Sequence, residues 1–265
     1  MTELHKRILV SALLIPVALA LLWLGGYWLV AGLGAISVVC AGEFVGMLRQ
    51  TAYKPGWHWV LFAPALYLGL VFLPGWEPVL MGTAFVLAIL EGLANWDGER
   101  SLPRTALSFW GMAYTAGLPA LCARLGLMHQ PPKALFWLVL LIWSADSAAY
   151  LVGMKWGRRR GIFPVSPNKS REGFVAGALV PFIFVIILYY AGLVSDLPAL
   201  LLTAFAAGIA GQLGDLAESM LKRFAGVKDS SRLFPGHGGM LDRVDSVLLA
   251  GAFLYCALMI LTKVR

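Results

Sequence analysis

The run FVAGALVPFIFVIILYYAGL, residues 174–193, carries no charged side chain. A transmembrane α-helix needs about 20 predominantly apolar residues to cross a hydrocarbon core of roughly 30 Å. Pro181 inside the run is compatible with this, since helices in membranes tolerate proline. The stretch therefore predicts a membrane-spanning helix and sets the fold class.

The rest of the chain has the same apolar character. Of its 265 residues, 60% are hydrophobic and only 13% are charged, whereas a soluble domain carries roughly 25% charged residues. Nine segments are read as spans, at 8–24, 27–48, 58–74, 78–96, 106–126, 134–153, 174–193, 197–217 and 245–262. We predict an all-α, polytopic helix bundle of about nine transmembrane helices. Residues 1–130 are expected to form the scaffold and residues 131–265 the catalytic region.

The basic residues are distributed unevenly between the two sides of such a bundle. One side receives the N-terminus and the loops near 49–57, 97–105, 154–173 and 218–244. It holds every one of the 21 basic residues except Arg124, Lys133, Lys263 and Arg265. Because loops rich in Lys and Arg stay in the cytoplasm, we expect this side to be cytoplasmic. These loops also explain the net charge of +7 without a nucleic-acid partner.

A polar segment, GDLAESMLKR at 214–223, lies near the end of the eighth predicted span. Asp215, Ser219 and Lys222 are spaced i, i+4 and i+7 and share a helix face, with Glu218 beside it. A carboxylate, a hydroxyl and a cation in that order suit Mg²⁺ with phosphate oxygens above it. The alternative is a helix end whose Lys222 and Arg223 extend to the interface. The cost of an unpartnered acid beside the bilayer core favours a functional role for Asp215.

The segment PGHGGMLDRVDS at 235–246 places Asp242 and Asp245 three residues apart at the start of the last predicted span. Acids at a helix start are also explained by capping and by the helix dipole. Capping does not require His237 and three glycines just before them. Glycines let a backbone approach a ligand closely, and their N–H groups can surround a phosphate. The segment therefore favours a ligand-binding role.

Two further polar groups lie in or after the sixth predicted span. Asp146 stands between apolar runs in LIWSADSAAYLVG, where an acid indicates function unless it makes an interhelical hydrogen bond or pairs with a loop arginine. The loop VSPNKS brings Ser166, Lys169 and Ser170 together as a cluster suited to phosphate. The alternative for this loop is a Ser-Pro turn in which Ser170 caps the seventh span.

Three other acids, Glu43, Glu91 and Asp97, lie toward the cytoplasmic ends of their spans without a surrounding motif. We expect them to pair with nearby arginines. The chain contains no GxSxG, HExxH, GxxxxGK[ST] or GxGxxG motif, which argues against an ordinary serine hydrolase or P-loop nucleotidase.

Residues 219–245 resemble the signature of phosphatidate cytidylyltransferases, also called CDP-diacylglycerol synthases. That signature reads S-x-x-K-R, four residues, K-D, a short spacer and P-x-H-G-G-x-x-D-R-x-D, and every fixed position is matched. The resemblance extends upstream to GDLAES at 214–219 and SADSAAYLVG at 144–153. In the loop that commonly reads S-P-x-K-T-W-x-G in the family, Ser170 keeps the hydroxyl, but Arg171 replaces the aromatic residue.

The resemblance implies that CMP is transferred from CTP to phosphatidate, giving CDP-diacylglycerol and pyrophosphate in phospholipid biosynthesis at the inner membrane. It implies Mg²⁺ and a second cation, for which K⁺ is a candidate. Metal would be held by Asp215 and Asp242, with Asp146 acting less directly. Catalytic roles would fall to Asp215, Lys222, His237, Asp242 and Asp245. Substrate would be bound by Ser166, Lys169, Ser170, Ser219, Arg223, Lys228 and Arg243.

Two other functions stay open at this point. Another lipid or polyprenol phosphotransferase would differ in its acceptor or its nucleotide. A cation-coupled transporter would use Asp146 and Asp215 as its ion site, but the sequence shows no inverted repeat of the kind such proteins contain. Membrane enzymes of this size often pair, so we also expect a homodimer.

Overall fold

A computed structural model describes residues 3–128 and 133–264. Over these residues the chain is helical and contains no β-strand, as the all-α prediction requires. The helices are α1 Glu3–Leu24, α2 Gly26–Leu48, α3 His58–Phe72, α4 Glu77–Ala94, α5 Ser101–Met112, α6 Leu118–Leu127, α7 Ala134–Trp156, α8 Arg171–Tyr190, α9 Leu197–Phe205, α10 Gly211–Phe224 and α11 Leu241–Val264.

Two π-helical segments join helices end to end. Ala113–Gly117 connects α5 to α6, and Ala206–Ala210 connects α9 to α10. The described part of the chain therefore forms nine helical stretches, and each of the nine predicted segments falls on one of them.

Six of the described helices are long and apolar enough to cross a membrane. They are Gly26–Leu48, Glu77–Ala94, Ala134–Trp156, Arg171–Tyr190, Leu197–Phe224 and Leu241–Leu261. Val10–Leu24 and His58–Phe72 are apolar but shorter. The chain thus has the helices of a multi-pass membrane protein. The boundary predicted between residues 130 and 131 lies outside the described residues, and the division into scaffold and catalytic regions stays a prediction.

The chain divides into two compact units, which are described separately. Unit 1 consists of Met1–Arg124 and Lys222–Asp242, and unit 2 of Leu125–Leu221 and Arg243–Arg265. In unit 1, buried polar groups bond across the helices. Tyr67 donates its hydroxyl to the Val30 carbonyl oxygen at 2.7 Å, and Ser37 donates to the Thr115 carbonyl oxygen at 2.6 Å. Such bonds satisfy polar groups that the interior of a membrane would otherwise leave unpaired.

In unit 2, small residues let helix backbones approach closely. A Cβ added at Gly177 of α8 would lie 3.1 Å from the Ala145 carbonyl oxygen of α7. A Cβ at Gly214 of α10 would lie only 2.5 Å from the Asp245 carbonyl oxygen of α11. Small residues at these contacts are the usual means by which membrane helices pack. Gly214 therefore lets α11 pack against α10 beside Asp215 and Asp245.

Candidate active site

Three acids of unit 2, which we call the carboxylate cluster, are Asp215, Glu218 and Asp245. One carboxylate oxygen from each lies within 4.8 Å of the others. Glu218 is 1% exposed, and Asp245 is also buried. Carboxylates this close repel each other unless a cation or a proton lies among them, and carboxylate oxygens are the ligands that Mg²⁺ prefers. The cluster therefore fits a hard metal ion.

A cavity of about 490 Å³ in unit 2 adjoins the cluster at Asp215. Its polar lining consists of Asp146, Tyr150, Arg160, Asn168, Lys169, Ser170, Gln212 and Asp215. The Lys169 Nζ lies 2.6 Å from Asp215 Oδ2, which fixes the ammonium group beside the carboxylate. Ser219 Oγ lies 3.4 Å from Asp215 Oδ1, so the shared helix face predicted for these two residues is confirmed.

The loop between α7 and α8 delivers Lys169 to this cavity. The Lys169 N–H donates to the Ser166 carbonyl oxygen at 3.2 Å, closing a turn. The next residue, Ser170, is the N-cap of α8, and its hydroxyl accepts a hydrogen bond from the Gly173 N–H at 3.1 Å. The capping alternative for Ser170 is therefore confirmed. The substrate contacts predicted for Ser166 and Ser170 stay predictions.

The signature loop of unit 1, residues 225–240, joins α10 to α11 and is organised by Asp242. Asp242 Oδ1 accepts a hydrogen bond from the Lys222 ammonium group at 2.6 Å. Asp242 Oδ2 accepts from the Ser230 N–H at 2.8 Å, the Ser230 hydroxyl at 2.7 Å and the Gly239 N–H at 2.8 Å. Gly236 and Gly238 have φ values of 78° and 81°, which favour glycine. Asp242 thus holds this loop and pairs with Lys222.

The remaining predicted groups of the signature segment are the catalytic candidate His237, which is partly buried, and three substrate-binding candidates, which are exposed. The His237 Nε2 is 3.2 Å from the Ser11 hydroxyl oxygen of α1, and the backbone N–H of His237 donates to the Phe234 carbonyl oxygen. Arg223, Lys228 and Arg243 are exposed. Their side chains are therefore accessible from outside the protein.

The sequence model of the cytidylyltransferase family matches residues 5–261. The chain belongs to the cytidylyltransferase family. It is therefore a nucleotidyltransferase enzyme, and the resemblance drawn from residues 219–245 is confirmed.

Two of the relatives match most of the chain, and a third matches about half of it. A phosphatidate cytidylyltransferase of Brucella suis biovar 1 is 33% identical over 269 residues, covering 96% of this chain and 93% of that protein. One from Pseudomonas aeruginosa is 34% identical over 272 residues, covering 93% and 94%. One from Bacillus subtilis is 46% identical over 125 residues, covering 46% of this chain and 45% of that protein.

Glu43 contacts the family's signature segment, and sequence reasoning missed it. It was expected to pair with an arginine, and this expectation is wrong. Its carboxylate accepts hydrogen bonds from the Ser230 and Ser231 hydroxyls and from the Met240 and Leu241 N–H groups, at 2.7 to 3.0 Å. Neutral donors of the loop take the place that an arginine was expected to fill. A lone acid in an apolar segment gave no signal for contacts 187 or more residues away in the chain.

The expected pairing with an arginine is also wrong for Glu91, but it is confirmed for Asp97. Glu91 accepts from the Gly56 N–H at 2.7 Å, the Trp59 indole N–H at 2.6 Å and the Ser108 hydroxyl at 2.8 Å. Donors from α3, from α5 and from the loop before α3 surround it, so a buried arginine is not needed. Asp97 forms the predicted ion pair, with the Arg104 guanidinium at 2.8 Å.

Proposed function

We propose that the chain transfers CMP from CTP to phosphatidate, giving CDP-diacylglycerol and pyrophosphate. The family match supports the nucleotide, and relatives named phosphatidate cytidylyltransferase over nearly the whole chain support the lipid acceptor. The observation that carries the proposal is the convergence of Asp215, Glu218 and Asp245 within 4.8 Å beside a cavity that holds Lys169.

We assign Mg²⁺ to the carboxylate cluster because its three acids offer converging hard oxygen ligands. When bound there, the ion would stabilise negative charge on the α-phosphate of the CMP group being transferred. Asp146 lines the same cavity as Asp215 and stays a predicted supporting group. Asp242 stays a predicted ligand, although both its oxygens accept hydrogen bonds within unit 1. A second cation, with K⁺ as the candidate, is also part of the proposal.

The protein's contribution to the reaction is positioning and neutralisation of charge. The lipid phosphate attacks the α-phosphorus of CTP in line, the new P–O bond forms, and pyrophosphate leaves. A phosphate monoester has a second pKa of about 6. The phosphate of phosphatidate is therefore already largely ionised at neutral pH and needs no strong base to act as the nucleophile. Lys169 and Lys222 offer N–H donors to phosphate oxygens. His237 binds a phosphate or carries a proton.

We propose that all nine helical stretches cross the inner membrane and that loops 154–173 and 218–244 face the cytoplasm. The basic residues on those loops support this orientation. Phosphatidate stays in the bilayer because each buried CH₂ contributes about 0.8 kcal/mol, whereas CTP is soluble. A reaction between them belongs at the membrane surface on the nucleotide's side.

A homodimer remains our proposal for the assembly, and light scattering of the detergent-purified protein tests it.

The activity test uses purified protein in detergent with phosphatidate, Mg²⁺ and CTP labelled in its α-phosphate. We expect label to enter the organic phase and to require both the lipid and the metal. Label in the γ-phosphate should instead remain in the aqueous phase as pyrophosphate. Monodisperse protein that transfers no label, with K⁺ also supplied, would refute the substrate assignment.

A further inference from the structure

We propose that Glu43 is a positioning residue that holds the signature loop in place and thereby sets the enzyme's affinity for CTP. The inference rests on the proposed function. It concerns unit 1 alone and assigns a role to an acid of α2, a helix outside the signature segment. Glu43 does not need to touch the substrate, because it acts through the loop that carries Lys228 and His237.

The contacts of Glu43 join the interior of the signature loop to its C-terminal end. Oε1 accepts from the Ser231 hydroxyl at 2.7 Å and the Met240 N–H at 2.8 Å. Oε2 accepts from the Ser230 hydroxyl at 3.0 Å and the Leu241 N–H at 2.8 Å. The carboxylate therefore ties residues 230 and 231 to residues 240 and 241 through one group.

Glu43 also supplies an acceptor at the start of α11. Leu241 is the first residue of that helix, and the first N–H groups of a helix have no partner within it. A negative charge at this position is further stabilised by the helix dipole. An acid from α2 thus caps a helix that begins almost 200 residues later, at Leu241. This cap fixes where the loop ends and the helix begins.

The Glu43 contacts are coupled to the Asp242 contacts through Ser230 and Gly239. The Ser230 hydroxyl lies 3.0 Å from Glu43 Oε2 and 2.7 Å from Asp242 Oδ2, and its single proton is shared between them. A Cβ added at Gly239 would lie 2.6 Å from Glu43 Oε2, so a glycine is needed for this close approach. Loss of Glu43 would therefore disturb the loop and the Lys222–Asp242 pair together.

A carboxylate is chemically required at position 43. All four groups that point at it are N–H or O–H donors, and an ionised carboxylate has only acceptors. In Glu43→Gln the amide nitrogen would face either the Met240 N–H or the Leu241 N–H, and neither of these backbone groups can accept its hydrogens. The substitution keeps the size of the side chain, so it tests the hydrogen bonds without opening a cavity.

Glu91→Gln is the matched control for Glu43→Gln. Glu91 is 9% exposed and Glu43 is 8% exposed, and both are carboxylates of unit 1 surrounded by N–H and O–H donors. The donors to Glu91 come from Gly56, Trp59 and Ser108, which lie outside the signature loop. Both variants should lose thermal stability to a similar extent. Only Glu43→Gln should change the interaction with CTP.

The decisive experiment measures kcat and KM for CTP at saturating phosphatidate for wild type, Glu43→Gln and Glu91→Gln. We expect KM for CTP to rise about tenfold in Glu43→Gln, a size typical of lost supporting hydrogen bonds. A smaller fraction of folded enzyme would lower kcat but leave KM unchanged. An unchanged KM in Glu43→Gln, or an equal rise in Glu91→Gln, would overturn the inference. A wild type without transfer would instead reject the proposed function.

A second measurement keeps the inference testable if Glu43→Gln folds poorly. Ser231→Ala removes one donor to Glu43 from a partly exposed position and should raise KM for CTP in the same direction, about threefold. Amide hydrogen exchange on the peptide covering 238–242 should accelerate at Met240 and Leu241 in this variant. Unchanged exchange together with an unchanged KM would show that Glu43 does not position the loop.

Discussion

Asp242 in unit 1 and the carboxylate cluster in unit 2 are both acidic sites, but their surroundings differ in kind. Each oxygen of Asp242 accepts hydrogen bonds from protein donors, among them a lysine ammonium group and two backbone N–H groups. In the cluster, three carboxylates instead converge on a common space within 4.8 Å. The first arrangement orders a backbone, and the second creates a place for a cation. Acids that lie within one stretch of sequence, residues 215–245, can therefore serve two physical purposes.

The largest effect that would sharpen this comparison is expected from Asp215→Asn. Asp215 belongs to the cluster and also pairs with Lys169, so the variant loses charge at both contacts. We expect label transfer from CTP to phosphatidate to fall about 10³-fold, as for the loss of a group that stabilises charge in the transition state. Asp196→Asn is the control, since Asp196 caps α9 and asparagine keeps that cap. If Asp215→Asn keeps more than a tenth of the wild-type rate of label transfer, Asp215 does not belong to the active site.

Gly214→Ala tests whether the spacing of the cluster matters. The new Cβ would lie 2.5 Å from the Asp245 carbonyl oxygen and would push α11 away from α10 at the acids. We expect activity to fall about 10²-fold, because misplacement by about 1 Å has costs of this size. The Mg²⁺ concentration for half-maximal activity should also rise. Gly82→Ala in α4, where no atom lies within 4 Å of the added Cβ, should leave both quantities as in wild type.

Direct metal binding compares the two acidic sites without relying on activity. Mn²⁺ would replace Mg²⁺ as a spectroscopic probe, and its affinity would be measured by electron paramagnetic resonance. We expect Asp215→Asn to weaken Mn²⁺ binding about tenfold more than Asp242→Asn does, since Asp215 lies within 4.8 Å of two further carboxylates and Asp242 does not belong to that cluster. Equal losses in the two variants would show that Asp242 is as important a metal ligand as Asp215, as the resemblance to the family implies.

The smallest effect is expected from the cap of α8. Ser170→Ala removes the hydroxyl that accepts the Gly173 N–H, and such a loss costs about 1 kcal/mol. The change should appear as a lower Tm in a detergent melt. Ser166→Ala should not lower the Tm, because the turn uses the Ser166 carbonyl oxygen. A similar melt for Ser170→Ala and wild type would mean that the cap does not contribute to stability.

Much of the fold could be predicted because it depends on local properties of the chain. Apolar length alone located nine helical stretches, and helix periodicity placed Ser219 beside Asp215. The π-helical segments Ala113–Gly117 and Ala206–Ala210 could not be predicted. An apolar sequence does not indicate whether the backbone hydrogen bonds span four residues, as in an α-helix, or five, as in a π-helix. The helix ends also differ from the predicted ones, since α10 continues to Phe224 whereas the span was predicted to end at 217.

The candidate site was only partly predictable for a related reason. The signature residues stand close together in sequence, so their resemblance to a family could be recognised. The partners of Glu43 and Glu91 come from other helices or from a distant loop, and no spacing rule connects them. Likewise, the convergence of Glu218 with Asp215 and Asp245 depends on the close packing that Gly214 allows.

The Glu43 contacts also have a consequence for biosynthesis. Glu43 enters the membrane with an early helix, whereas its first loop partner, Ser230, is made 187 residues later. At roughly 5 to 20 residues per second, the acid waits roughly 10 to 40 s before the ribosome completes that partner. An acid is disfavoured in an apolar segment throughout this interval. A chain truncated before residue 230 would lack all four donors. The Glu43 carboxylate of such an unfinished chain would therefore have none of the hydrogen bonds that it makes in the finished protein.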